Sequence, residues 1–189
     1  MVKAFLFAGA LLSSVTVPAL TPAFADDPPP ITATFASVNE VFVDFLLNGC
    51  LSSMDGKFPV KDFASERQLF VAKDEISEAF LKGKPGKVYV HGGAAVVISA
   101  LDSGLCTVSA RQAPMMMELT DQVESWLIGP GAPFKKTQTQ ESGAESKGGA
   151  STMRVYEAEI AGHSLFAVMT TTAREDVLAQ AVITVGLNY

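Results

Sequence analysis

Two cysteines, Cys50 and Cys106, stand in segments of different period. Cys50 closes a helical stripe in which Phe35, Val38, Phe42, Phe45 and Leu46 recur at three- and four-residue steps. Cys106 alternates with Val108 and Ala110, the period of a strand with one buried face. If the two sulfurs bond, that helix must lie across that strand, with Cα atoms no more than ~7 Å apart. The loop closed in this way spans 56 positions, for which the chain-entropy model gives roughly 4 kcal/mol. The alternative is two separate buried thiols.

The compartment decides between them, and the N-terminus bears on the compartment. Lys3 is a short positive region, residues 4–12 (AFLFAGALL) are apolar, and Ala23-Phe24-Ala25 has the small-x-small pattern of a cleavage site. Residues 1–25 therefore read as a signal peptide, cut before Asp26-Asp27. The apolar run is well short of the ~20 residues that span a bilayer, so an uncleaved anchor is the lesser reading. No later segment reaches that length, so no membrane span is expected after cleavage. Export delivers the chain to the periplasm or the medium, where an even cysteine count favours a bridge.

Removing 25 of 189 residues leaves 164, enough to bury about 70% of the unfolded surface in one domain. Hydrophobic residues make up 48% and charged residues 18%, the balance of a globular chain. Fourteen Lys and Arg against 20 Asp and Glu give a net charge of -6, which argues against nucleic acid as a partner. Two cysteines cannot build a four-thiolate zinc or iron–sulfur site.

Residues 26–34 begin with Asp-Asp-Pro-Pro-Pro and read as an extended leader, with the domain at 35–189. The first helix is expected over 35–53 and ends at Asp55-Gly56. Residues 57–85 are ambiguous. Phe58, Pro59, Val60 and Phe63 suggest an ordered loop, 65–72 a short helix, and Asp74 the cap of another carrying Ile76, Phe80 and Leu81. From Lys87 the period turns to two. Residues 87–91, 94–101 and 105–111 read as strands, the last two joined in a hairpin at Asp102-Ser103-Gly104. Ala113-Pro114 opens a second long helix with the stripe Met116, Leu119, Val123, Trp126 and Leu127, closed by Gly129. Four strands follow at about 134–141, 152–160, 164–172 and 180–187. The loop 143–151 is polar and rich in Gly and Ser, and 173–179 holds one helical turn. This order predicts an α+β fold: one antiparallel sheet with helices packed on one face.

Chemistry-bearing patterns are few. His91 and His163 are 72 positions apart, each beside a glycine at a strand end, a poor start for a metal site. Gly162-His163-Ser164-Leu165-Phe166 lacks the last glycine of a serine-hydrolase elbow and sits between strands. Gly83-Lys84-Pro85-Gly86-Lys87 has the wrong spacing for a phosphate loop. Glu157 with Glu159, and Glu175 with Asp176, read as solvated faces. No catalytic residue, metal ligand or cofactor is assigned.

The signal segment, one cysteine in an N-terminal helix and one in a mid-chain strand resemble small exported bacterial proteins of uncharacterised function. That resemblance implies no catalytic residue. The leading expectation is a non-enzymatic module that binds another exported or envelope protein. Its candidate contacts are Met115, at the head of the second long helix, and the acidic Glu118, Asp121 and Glu124. Two of Met115, Met116 and Met117 are expected in the core and the third in contact. The alternatives are a carrier with an apolar pocket of at least ~300 Å³ between helices and sheet, and a small hydrolase with convergent titratable groups.

Overall fold

The first apolar stripe folds as a helix of two kinds. Val38–Asp44 is an α-helix (α1), and Phe45–Leu51 widens into a π-helix. A computed structural model of the chain describes residues 38–54, 56, 58–92, 95–111, 116–143, 150–160 and 162–188, all within one compact unit, 32–189. The signal segment, the Pro-rich leader and the first residues of the expected helix lie outside the described residues. The sequence reading expects ordinary helix throughout. The difference has a packing reason: a π-turn returns to the same face after five residues. Phe45 and Cys50, five apart, are both fully buried. The Ser52 hydroxyl donates to the Leu47 carbonyl, again five residues back, at 2.9 Å. Gly49 lets this turn press inward, because a Cβ there would lie 2.6 Å from Ile98 Cδ1.

The ambiguous stretch resolves differently from its reading. The short helix expected over 65–72 instead runs Val60–Glu66 (α2), and Phe70–Val71 is a two-residue edge strand (β1). Pro59 precedes the helix in extended conformation, and Val60, Phe63 and Ala64, at helical spacing, form its buried side. Gln68, with φ 52°, turns the chain out of helix. Asp74–Leu81 is α3, in which Asp74 is the first helical residue and not the cap.

Arg67 ties α2 to α1. Its Nε and Nη2 donate to the two Asp44 carboxylate oxygens, each at 2.9 Å, and its guanidinium lies 5.5 Å from the Phe63 ring centre. Burial pushes the Asp44 carboxyl up, but the Arg67 and Asn48 hydrogen bonds and the Arg67 charge outweigh it and hold the group below its ordinary value. A carboxyl lowered in the folded state stabilises above its unfolded pKa and loses that contribution as pH falls through the folded one. Asp44→Asn is therefore expected to flatten the acid limb of the stability profile and to leave the shape of the alkaline limb unchanged. Urea titrations at stepped pH check this; an unchanged acid limb contradicts it.

The strands are β2 (Gly86–Val90), β3 (Val96–Leu101), β4 (Cys106–Ala110), β5 (Lys135–Ser142), β6 (Ser151–Ile160), β7 (His163–Thr172) and β8 (Ala181–Asn188). With β1 they form, among the described residues, an eight-stranded antiparallel sheet in the order β1-β2-β3-β4-β8-β7-β6-β5. The hairpin turns at Asp102-Ser103-Gly104, where Gly104 takes φ 88°. Across the sheet Ile98, Val108, Ile183 and Met169 are register neighbours, and all four are fully buried. This face carries α1, the π-helix, α2 and α4 (Met116–Ile128) in one hydrophobic core. The chain is thus α+β, with an antiparallel sheet and a helical layer. A smaller cluster of Ala72, Val88 and Val97, with Phe80 and Leu81 of α3, packs on the opposite face at the β2–β3 end.

The cysteines meet where that layer touches β4. Cys50 and Cys106 are disulfide-bonded, with Cα atoms 5.4 Å apart. Two local expectations fail. Residues 173–179 hold bends and no helical turn, with Arg174 paired to Asp176. Trp126 leaves the apolar stripe: Leu119, Val123 and Leu127, at four-residue steps, face the core, whereas Trp126, on the edge of that stripe, is 60% exposed. The core of the Gly/Ser-rich loop, 144–149, lies outside the described residues.

Candidate functional site

Helix α4 presents two different surfaces. Leu119, Thr120, Val123 and Leu127 are buried, and the Thr120 hydroxyl satisfies itself on the Met116 carbonyl at 3.0 Å. The exposed positions are Met117, 83% exposed, and Trp126, 60% exposed, on opposite flanks of the helix, with Glu118 and Asp121 exposed between them. Gln122 donates to Glu118 across one turn at 3.3 Å. Met116 packs partly against the core, so the exposed methionine on this helix is Met117. Met115 lies outside the described residues.

Glu124, unlike Glu118 and Asp121, is engaged by side chains of the sheet. Its Oε1 accepts from the Tyr156 hydroxyl at 2.9 Å, and Lys136 Nζ reaches both carboxylate oxygens at 3.0 and 3.2 Å. Arg154 Nε lies 3.6 Å from the same Oε1. The Glu124 charge is held by two donors, Lys136 from β5 and Tyr156 from β6, and by the nearby Arg154 guanidinium. Burial first, then the Glu124 hydrogen bond, push the Tyr156 hydroxyl far above the ordinary phenol range. The group is a permanent donor that fastens α4 to the sheet. Tyr156→Phe is expected to cost about 1–2 kcal/mol by leaving a half-buried carboxylate short of a donor. Glu118→Gln, on the exposed side, should stay within about 0.5 kcal/mol of wild type. Urea midpoints distinguish the two; equal effects would contradict this placement of Glu124.

No family model, curated protein or solved structure matches the chain.

Among the described residues, clefts open at two places on the sheet. One, about 340 Å³, lies at β5–β7 among Lys135, Thr137, Glu157, Glu159 and Ser164. Lys135 is the register partner of Glu157, so opposite charges already face each other there. The other, about 380 Å³, opens where the first helix ends and α2 begins, over the β2–β4 end of the sheet. Met54, Pro59 and Val60 form its helical wall, Tyr89, Ala100 and Cys106 its floor, and Lys61 and Lys87 also line it.

Of the remaining sequence candidates, Ser164, Glu157 and Glu159 line the first cleft and Lys87 the second, while the two histidines line neither. His91 follows β2, and His163 opens β7 in an exposed position. The Ser164 hydroxyl accepts from Asn188 at 3.3 Å, within the β7–β8 pairing. Among the described residues no three His, Cys, Asp or Glu gather closely enough to hold a metal ion. Among those residues no helix is long and apolar enough to cross a membrane. Sequence reasoning missed Tyr156, Arg154 and Lys136 as the partners of Glu124, because they lie 32, 30 and 12 positions away on other strands.

Proposed function

We propose that the chain is an exported, non-enzymatic binding module of the periplasm or secreted space, which docks on another exported or envelope protein through the outer face of α4. The observation that carries this reading is Trp126, a large aromatic 60% exposed on a helix whose Leu119, Val123 and Leu127 are committed to the core. Exposed tryptophans are costly in water and are favoured anchors at the centres of interfaces. Glu118 and Asp121 on the same helix fit a partner whose docking pocket has a basic rim. The disulfide and the signal-like N-terminus support an oxidising compartment.

The test compares wild type with Trp126→Ser and Met117→Ser in co-purification from a periplasmic fraction. Loss of the same partner band in the variants, with an unchanged thermal midpoint, supports the reading. Truncating a central anchor is expected to weaken binding by at least about 2 kcal/mol, roughly thirtyfold. Variants that retain every partner overturn it.

A second reading, carriage of a small apolar ligand, has its own observation. The 380 Å³ cleft lies between helices and sheet and falls within the ~300–1,000 Å³ range of small-molecule pockets.

A further inference from the structure

We propose that the cleft beside the disulfide binds a small amphipathic carboxylate, its alkyl part on Met54, Val60, Leu101 and Leu105 and its head between Lys61 and Lys87. This rests on the carrier reading of the cleft and adds the class of ligand.

The first argument is the make-up of the wall. The helical side offers Met54 and Val60, and the β3–β4 turn offers Leu101 and Leu105. Met54, Leu101 and Leu105 are each only part-buried, so apolar surface there is still in contact with water. An alkyl group entering the cleft removes that surface from solvent, which is favourable in proportion to the area covered. Methionine at such a wall adapts to chains of different shape.

The second argument is charge. The chain is acidic, with 14 basic residues against 20 acidic. Lys61 and Lys87 nevertheless come to one cleft from different elements, α2 and β2. The ion pairs of the described residues engage Arg67, Lys136, Arg154 and Arg174, not these two lysines. Asp102 also lines the cleft and Asp62 lies near Tyr89, so recognition of an anionic head rests on the two lysine ammoniums as charge-assisted donors and not on net charge. Tyr89 on the floor adds a neutral donor, since burial and then the nearby Asp62 charge raise its hydroxyl.

The third argument is size. At about 380 Å³ the cleft sits at the small end of ligand pockets, which suits a single short alkyl chain and excludes a two-chain lipid.

The experiment uses the oxidised exported protein with two probes of equal chain length, sodium decanoate and decanol, titrated by calorimetry and by amide NMR. Decanoate is expected to bind roughly five- to tenfold tighter than decanol, with shifts at Met54, Leu101 and Leu105. Both lysines are exposed, so K61M/K87M should keep the thermal midpoint and bring decanoate down to the affinity of decanol. Failure of both probes to bind at millimolar concentration overturns the carrier reading, and this proposal with it. Equal binding of the two probes overturns the carboxylate head and leaves the carrier reading standing. A wild-type preference for decanoate in K61M/K87M removes the lysines from the site and overturns the proposal.

Discussion

Replacing both cysteines by alanine is expected to lower the unfolding free energy by about 4 kcal/mol. The bond joins Cys50 and Cys106 across a separation of 56 residues, and closing a loop of that length removes much of the freedom of the unfolded chain. Both residues are buried, at 0% and 1% exposure, so alanine leaves no buried hydroxyl and isolates the cross-link. At a typical urea m-value near 2 kcal/mol/M the midpoint falls by about 2 M. The m-value itself should rise, because the untethered denatured state exposes more surface. Mass spectrometry of the unreduced protein should recover the Cys50–Cys106 peptide. A stability loss under about 1 kcal/mol, with that peptide present in wild type, would contradict a cross-link that acts on the unfolded chain.

Phe45→Ala is expected to cost a comparable amount, about 3–5 kcal/mol. Phe45 is fully buried, and its ring meets that of Phe63 edge-on, with centres 5.4 Å apart and planes at 87°. The substitution removes apolar area and leaves a cavity between the π-helix, α2 and the sheet. The neighbouring chain cannot collapse freely into it, because the disulfide holds the next turn of the helix in place at Cys50. Part of the loss belongs to the ring pair, and a double-mutant cycle with Phe63→Ala should return a coupling of about 0.5–1.5 kcal/mol. Coupling near zero would mean that the two rings touch without stabilising each other. A single-mutant loss below 2 kcal/mol would mean that the region repacks.

Strands and hairpins were legible because their signals are local. Two β-branched runs, 96–101 and 106–110, flank a three-residue turn with glycine at the position that takes φ 88°. The same kind of pattern placed β5 to β8 to within a few residues. The cysteine pairing was legible for a different reason: a stripe of period three to four and a run of period two each put one sulfur on a buried face. The stretch 57–85 was not legible. Its helix begins after Pro59 because Phe63 and Ala64 find the π-helix to pack on, and a seven-residue helix lacks the length to declare itself without that contact.

The candidate surface divides along the same line. Sequence alone placed an acidic helix after Pro114 with Leu119, Val123 and Leu127 inward, because a period of 3.6 fixes relative angles within one helix. It could not assign Glu124, whose partners Lys136, Arg154 and Tyr156 arrive on strands. Nor could it place Trp126 outside: a tryptophan one step from the stripe is buried or exposed according to how the helix is rolled on the sheet. The sequence by itself thus determined the antiparallel α+β plan and the cross-link, since both follow from periodicity within short segments. Only the tertiary structure decided the π-turn, the roll of α4 and the cleft at Lys61 and Lys87, since each depends on which distant segments come into contact.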